Sequence, residues 1–148
     1  MLLVAGICVL GTSVLALHPG AQSGGARRDP SPHQVRWVTV DSSVKLEVLD
    51  WGGSGLALVL LGCYWSTHVY DEFAPKLTDL SHVYGITRRG IGASDKPASG
   101  YSVQQSANDL FEVFNALNLQ HPLLVRHSCA GQVLTLFAAQ HGDRLRGL

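Results

Sequence analysis

Charged side chains are scarce in this sequence. Asp, Glu, Lys and Arg make up 15% of its 148 residues, and eleven basic residues balance eleven acidic ones to a formal net charge of zero. A chain with no basic excess lacks the electrostatic footprint of a nucleic-acid or anionic-membrane binder, so neither partner is expected. Cysteine is almost missing as well. Cys8, Cys63 and Cys129 are too few for a disulfide-dense scaffold, and they lack the short paired spacing of a zinc site. No metal ion and no cofactor is expected. The chain has no internal repeat, no heptad pattern, and no apolar run of the roughly 20 residues that a membrane-spanning helix needs. What it does have is a 46% hydrophobic share, enough for one packed domain at this length.

The longest uncharged, mostly apolar stretch is residues 2–17. It reads as the core of a secretion signal over residues 1–21. Val14 and Ala16 suit the minus-three and minus-one positions of one cleavage site, and Ala21 ends another. A secreted or periplasmic location follows. No Lys or Arg precedes the run, the first basic residue being Arg27, so an uncleaved anchor or a misplaced start is the alternative. Residues 22–32 turn to Gly, Ser, Arg and Pro, a composition that buries little and forms a flexible linker. The folded body is expected over residues 33–148.

That body alternates short apolar strands with helical patterns. Residues 35–40 and 44–51 alternate with period two around Asp41-Ser42-Ser43, which predicts an antiparallel hairpin. Residues 57–61, Ala-Leu-Val-Leu-Leu, predict a strand buried on both faces. Val69, Phe73, Leu77 and Leu80 recur at helical spacing, and residues 82–86 form the next strand. Val103, Ala107, Leu110, Phe114 and Leu117 mark a second helix, residues 122–125 a further strand, and 129–145 a last helix. Strands separated by helices imply right-handed crossovers and a mostly parallel sheet with helices on both faces.

The segment richest in chemistry is Leu124-Val125-Arg126-His127-Ser128-Cys129-Ala130-Gly131, an apolar strand running into a helix with serine at the junction. A tight turn there lifts the serine oxygen above the carboxyl edge of the sheet and aims a helix amino terminus at developing negative charge. The alternative for Ser128 is a simple helix N-cap. Together with the hairpin, the Gly62-led loop and Arg89-Gly90-Ile91-Gly92-Ala93-Ser94, this order resembles the α/β-hydrolase superfamily, in particular its single-domain serine hydrolases. The resemblance covers residues 35–148. It implies an α/β fold that stops after the nucleophile-elbow helix, with Ser128 matching the nucleophile. The backbone N–H groups of Cys63 and Cys129 match the oxyanion donors, and Tyr64, Trp65 and His127 would line the substrate pocket. It also brings Cys63 and Cys129 together. In an oxidising compartment these two could form a disulfide, the alternative being two unrelated buried thiols.

Two departures from the family pattern stand out. Arg126 occupies a position the family fills with glycine, so the turn is expected to be strained or the guanidinium pushed outward. The triad order in this fold is Ser, acid, His, the last two on loops after later strands. After Ser128 come His141 and Asp143, which the elbow helix carries roughly 20 Å away. The expected function is a secreted serine hydrolase acting on a small ester or related acyl bond, incomplete here for want of the acid and histidine. The alternative is a truncated or degenerate product with at most a binding role.

Other residues read blandly. The Gly90 and Gly92 loop is a tight connection rather than a phosphate cradle, because the Gly-x-Gly-x-x-Gly spacing is absent. Arg88 and Arg89 support a loop rather than an anionic substrate. His33, His82 and His121 are expected to be solvated. Self-association is expected through an open sheet edge near residues 123–125.

Overall fold

The computed structural model describes residues 32–148, so the expected secretion signal and nearly all of the expected linker lie outside the described residues. Strand β1 (Gln34–Val40) and strand β2 (Val44–Gly52) form the expected hairpin, in antiparallel register from Gln34 opposite Asp50 to Val40 opposite Val44. The turn between them places Asp41 and Ser42 at positive φ, 45° and 23°, conformations that short polar side chains tolerate better than most. Strands β3 (Ala57–Leu61), β4 (His82–Ile86) and β5 (Leu123–Arg126) complete a sheet of order β1-β2-β4-β3-β5. β3 runs parallel to both β4 and β5, whereas β2 meets β4 antiparallel.

The continuous apolar run of β3 has a direct cause. Val59 and Leu61 enter the core on one face of the sheet, and Leu58 and Leu60 enter the core on the other. Each such side chain contributes about 1.5–3 kcal/mol by leaving water. Helix α1 (Val103–Ala116) and helix α2 (Ala130–His141) both belong to the first core, where Phe114 meets Phe137 edge to face at 5.2 Å. Ser102 caps α1 by accepting the Gln105 N–H at 3.1 Å, the expected role of serine at that position.

The opposite face departs from the sequence expectation. No α-helix forms over residues 69–80. The crossover from β3 to β4 is instead two short 3₁₀ turns, Thr67–Tyr70 and Ala74–Leu77. Pro75 has no N–H to donate and its ring clashes with the preceding turn, which stops a helix here. The residues that suggested an amphipathic face point outward: Val69, Phe73 and Leu80 are 56%, 49% and 78% exposed. Ala74, Tyr70 and Leu77 supply the cover, packing on Leu49, Trp51, Leu60 and Val83. Among the described residues, α-helices therefore lie on one face only.

The last helix is also shorter than expected. α2 ends at His141, and a 3₁₀ turn at Gly142–Arg144 follows. The chain then turns back alongside β5: the Leu124 N–H donates to the Gly147 carbonyl at 3.1 Å, and the Arg146 N–H donates to that of Pro122 at 3.1 Å. Gly147 forms a single parallel bridge with Leu123.

Candidate active site

Ser128 sits between β5 and α2 with φ of +58°, the left-handed region that a side chain with a β-carbon rarely adopts. An N-cap serine would have extended backbone and would bond a first-turn N–H. Here the cap position is Cys129, and no side chain caps the helix. The strain at Ser128 thus brings no capping bond in return. Its effect is to hold an exposed hydroxyl at the apex of the strand-to-helix turn, the arrangement a nucleophile elbow requires. The turn itself is held by backbone bonds, from the His127 N–H to the Leu61 carbonyl at 3.2 Å and from the Gly131 N–H to the Ser128 carbonyl at 3.0 Å.

The Gly62 loop lies against this turn. The α-carbons of Cys63 and Cys129 are 5.2 Å apart and their sulfurs are bonded. Among the described residues neither Cys63 nor Cys129 donates its N–H to a backbone carbonyl. Arg88 braces the loop from the end of β4 by donating its Nη2 to the Cys63 carbonyl. Burial holds the Arg88 guanidinium below its usual pKa, partly countered by Tyr64, and its Nε is buried without a hydrogen-bond partner. A second brace links Thr67 to Thr87, with Oγ1 atoms 2.8 Å apart and the Thr67 N–H donating to Thr87 Oγ1 at 3.1 Å.

No protein-family model matches the chain. It is 29% identical over 105 residues to 2-(acetamidomethylene)succinate hydrolase of Mesorhizobium japonicum, covering 71% of this chain and 38% of that protein. It is 28% identical over 106 residues to non-heme chloroperoxidase of Streptomyces lividans, covering 70% and 38%. The crystal structure of wild-type Cfl2 from Burkholderia cenocepacia superposes with a TM-score of 0.74 at 28% identity, covering 80% of this chain and 41% of that one. The chain belongs to the α/β-hydrolase superfamily. It spans about 40% of the length of these relatives.

Within this hydrolase fold the Arg89-Gly90-Ile91-Gly92-Ala93-Ser94 loop is structural. Ser94, 1% exposed, donates its hydroxyl to the Thr87 carbonyl at 2.7 Å and accepts the Glu47 N–H at 2.9 Å. A β-carbon on Gly92, which has φ of +51°, would stand 2.6 Å from that of Ser66. Arg89 supports the same loop from below. Its Nε and Nη2 each lie 2.6 Å from a carboxylate oxygen of the buried Asp109 on α1.

Arg126 takes the outward route. Its guanidinium lies over Gly131, where any β-carbon would collide with it. The side chain then joins Ser128, Cys129, Gly131 and Gln132 in lining an open groove of about 610 Å³. Tyr64 instead lines a neighbouring cavity of about 270 Å³ with Arg88, Tyr101 and Cys129. The exposed Trp65 ring faces His127 at 5.9 Å. His141 stands at the far end of α2, stacked on Phe111 at 4.5 Å and tilted against Phe137 at 5.1 Å.

Of the histidines expected in solvent, His33 is withdrawn from it and His82, its side chain 30% exposed, is only partly in it. His82 lies 2.7 Å from the buried Asp50 and stacks on Tyr84 at 4.4 Å. The His33 side chain is only 1% exposed, with Nδ1 2.9 Å from Asp71. His121 is exposed, as expected. His68, absent from the sequence reading, bridges Asp71 and the buried Glu47, each at 3.2 Å. Burial alone would lower the His68 pKa, but the hydrogen bonds and charges of Glu47 and Asp71 outweigh it and raise it. The spacing of His68 and Asp71 along one helical turn is a visible signal. The approach of His33, thirty-eight residues away from Asp71, has none.

Proposed function

We propose that this chain supplies the nucleophile and oxyanion pocket of a serine hydrolase acting on a small ester or related acyl bond. The observation that carries the reading is Ser128 at φ of +58° beside two backbone donors whose α-carbons are 5.2 Å apart. In this mechanism the Ser128 oxygen attacks the acyl carbonyl, a base takes its proton, and the N–H groups of Cys63 and Cys129 hold the oxyanion. Each such donor is worth about 10²–10³ in rate. Trp65 and His127 border the acyl group, and Tyr64 lines the neighbouring cavity that shares Cys129. The acid and histidine come, in this fold, from loops after later strands.

Export to an oxidising compartment belongs to the same proposal. It is supported by the apolar stretch over residues 2–17 and by the Cys63–Cys129 disulfide, a bond that persists mainly in such compartments. Sequencing the amino terminus of the protein recovered from its host tests this: a mature start near residue 17 or 22 is expected, and a retained Met1 in the cytosol refutes export.

The second reading is a non-catalytic product, favoured by the placement of His141 against Phe111 and Phe137 and away from the elbow. Covalent labelling by a fluorophosphonate separates the two when the chain is expressed with whatever coding sequence follows it. Labelling lost in Ser128→Ala supports the hydrolase; equal absence of labelling in both supports the second reading.

A further inference from the structure

On the sheet face opposite α1 and α2, four polar side chains converge from distant parts of the sequence. His33 precedes β1, Glu47 lies on β2, His68 is in the Thr67–Tyr70 turn, and Asp71 follows that turn. His33 Nδ1 is 2.9 Å from Asp71 Oδ1, and His68 Nδ1 is 3.2 Å from Asp71 Oδ2. One nitrogen from each histidine and one oxygen of Asp71 all lie within 4.8 Å of one another. β2, which carries Glu47, is separated from the elbow strand β5 by β4 and β3, so this cluster is not part of the Ser128 site.

The atoms behind the cluster are arranged as supports for ligands. Glu47 is 3% exposed, and its Oε1 faces His68 Nε2 at 3.2 Å. An ionised carboxylate only accepts hydrogen bonds, so His68 donates from Nε2 to Glu47, and Nδ1 is the nitrogen that faces Asp71. A metal bound at Nδ1 would take the place of the proton that otherwise lies between His68 and Asp71, 3.2 Å apart. On the other side, Trp51 donates its indole N–H to Asp71 Oδ1 at 3.1 Å and orients the carboxylate. Histidines that bind metals are typically held in this way, with the second ring nitrogen donating to a carboxylate.

We propose that His33, His68 and Asp71 bind one divalent transition-metal ion of the zinc class, with Glu47 and Trp51 as the groups that orient its ligands. Two imidazoles and a carboxylate suit zinc, cobalt or nickel and do not suit calcium or magnesium, which take mainly oxygen. Donor atoms in a tetrahedral zinc site with bonds of about 2.0–2.1 Å are about 3.3 Å apart, and the three donors here, within 4.8 Å of one another, would draw together to that spacing on binding. The ion would fasten the start of β1 to the segment that leaves the Gly62 loop, which neither end can achieve through backbone pairing alone.

The test uses the full chain with its disulfide formed, stripped of metal by a chelator and titrated calorimetrically with zinc chloride. One equivalent is expected to bind, with a rise in Tm, and with no such response to calcium or magnesium. His33→Asn and His68→Asn should each weaken binding at least about tenfold, and Glu47→Gln should weaken it about 10–100-fold by loosening His68. His121→Asn, at an exposed histidine elsewhere, should leave it unchanged. Should the substitutions impair folding, the wild-type chain still decides: zinc must protect His33 and His68 from diethyl pyrocarbonate, read by mass spectrometry. Absence of saturable binding, binding that survives the His33→Asn/His68→Asn pair, or unprotected His33 and His68 at saturating zinc overturns the proposal.

Discussion

The α-carbons of Cys63 and Cys129 lie 5.2 Å apart across sixty-six residues of sequence, and the bond between their sulfurs ties the Gly62 loop to the Ser128 turn. The same two residues carry the N–H groups assigned to the oxyanion, so one covalent link holds both donors in register. Closing a loop of that length removes conformational entropy from the unfolded chain. Replacing both cysteines with alanine is expected to lower stability by about 2–4 kcal/mol, read as a shift in the urea midpoint against the oxidised wild type. An unchanged midpoint would show that the link does not constrain the unfolded chain.

Catalysis by the 148-residue chain alone should be negligible. His141 packs on Phe111 and Phe137 at the distal end of α2, and no side-chain hydrogen bond reaches the Ser128 hydroxyl among the described residues. Wild type and Ser128→Ala should hydrolyse an activated nitrophenyl ester equally slowly. Turnover at an ordinary enzymatic rate, about 1–10³ per second, lost in Ser128→Ala, would contradict this.

Arg89 and Asp109 form a two-pronged buried ion pair, their side chains 2% and 5% exposed. Removing Asp109 leaves the buried guanidinium with only the exposed Asp41 at 3.5 Å. Asp109→Ala should cost about 3–5 kcal/mol in chemical denaturation, whereas replacing both residues by apolar ones of similar volume should cost much less. Equal losses for the single and double variants would mean that packing, not charge, dominates.

Alkaline conditions should destabilise the fold through its tyrosines. Burial raises the pKa of Tyr70, and burial together with the Asp50 charge raises that of Tyr84. A phenol whose folded pKa exceeds its unfolded value of about 10 contributes stability that is complete below pH 10 and is lost as pH rises through the folded value. Thermal unfolding followed between pH 9 and 11 should show this decline, and Tyr84→Phe should reduce it. A decline identical in the variant would assign the effect elsewhere.

The β5 edge offers a further measurement. We propose that the chain self-associates through this edge, where residues 146–147 cover only its start and Val125 is 41% exposed. Light scattering at micromolar concentration should detect species larger than one chain; a single monomeric mass across the concentration range would refute it.

Local periodicity determined much of this protein from sequence alone. The hairpin, β3 with its apolar run, β4, β5 and the α1 stripe follow from patterns a few residues long. The elbow follows from the tight order His127-Ser128-Cys129-Ala130-Gly131. Tertiary structure decided the rest. Whether residues 69–80 become a helix depended on Pro75 and on which side chains the sheet face could bury, not on their spacing. The route of Arg126 across Gly131 depended on where α2 packs. The meeting of His33, Glu47, His68 and Asp71 required strands β1 and β2 to pair and the following turns to fold back over them. Such contacts join residues far apart in the chain. Their closure entropy is met only by the collective burial of the whole sheet, and no short window of sequence contains that information.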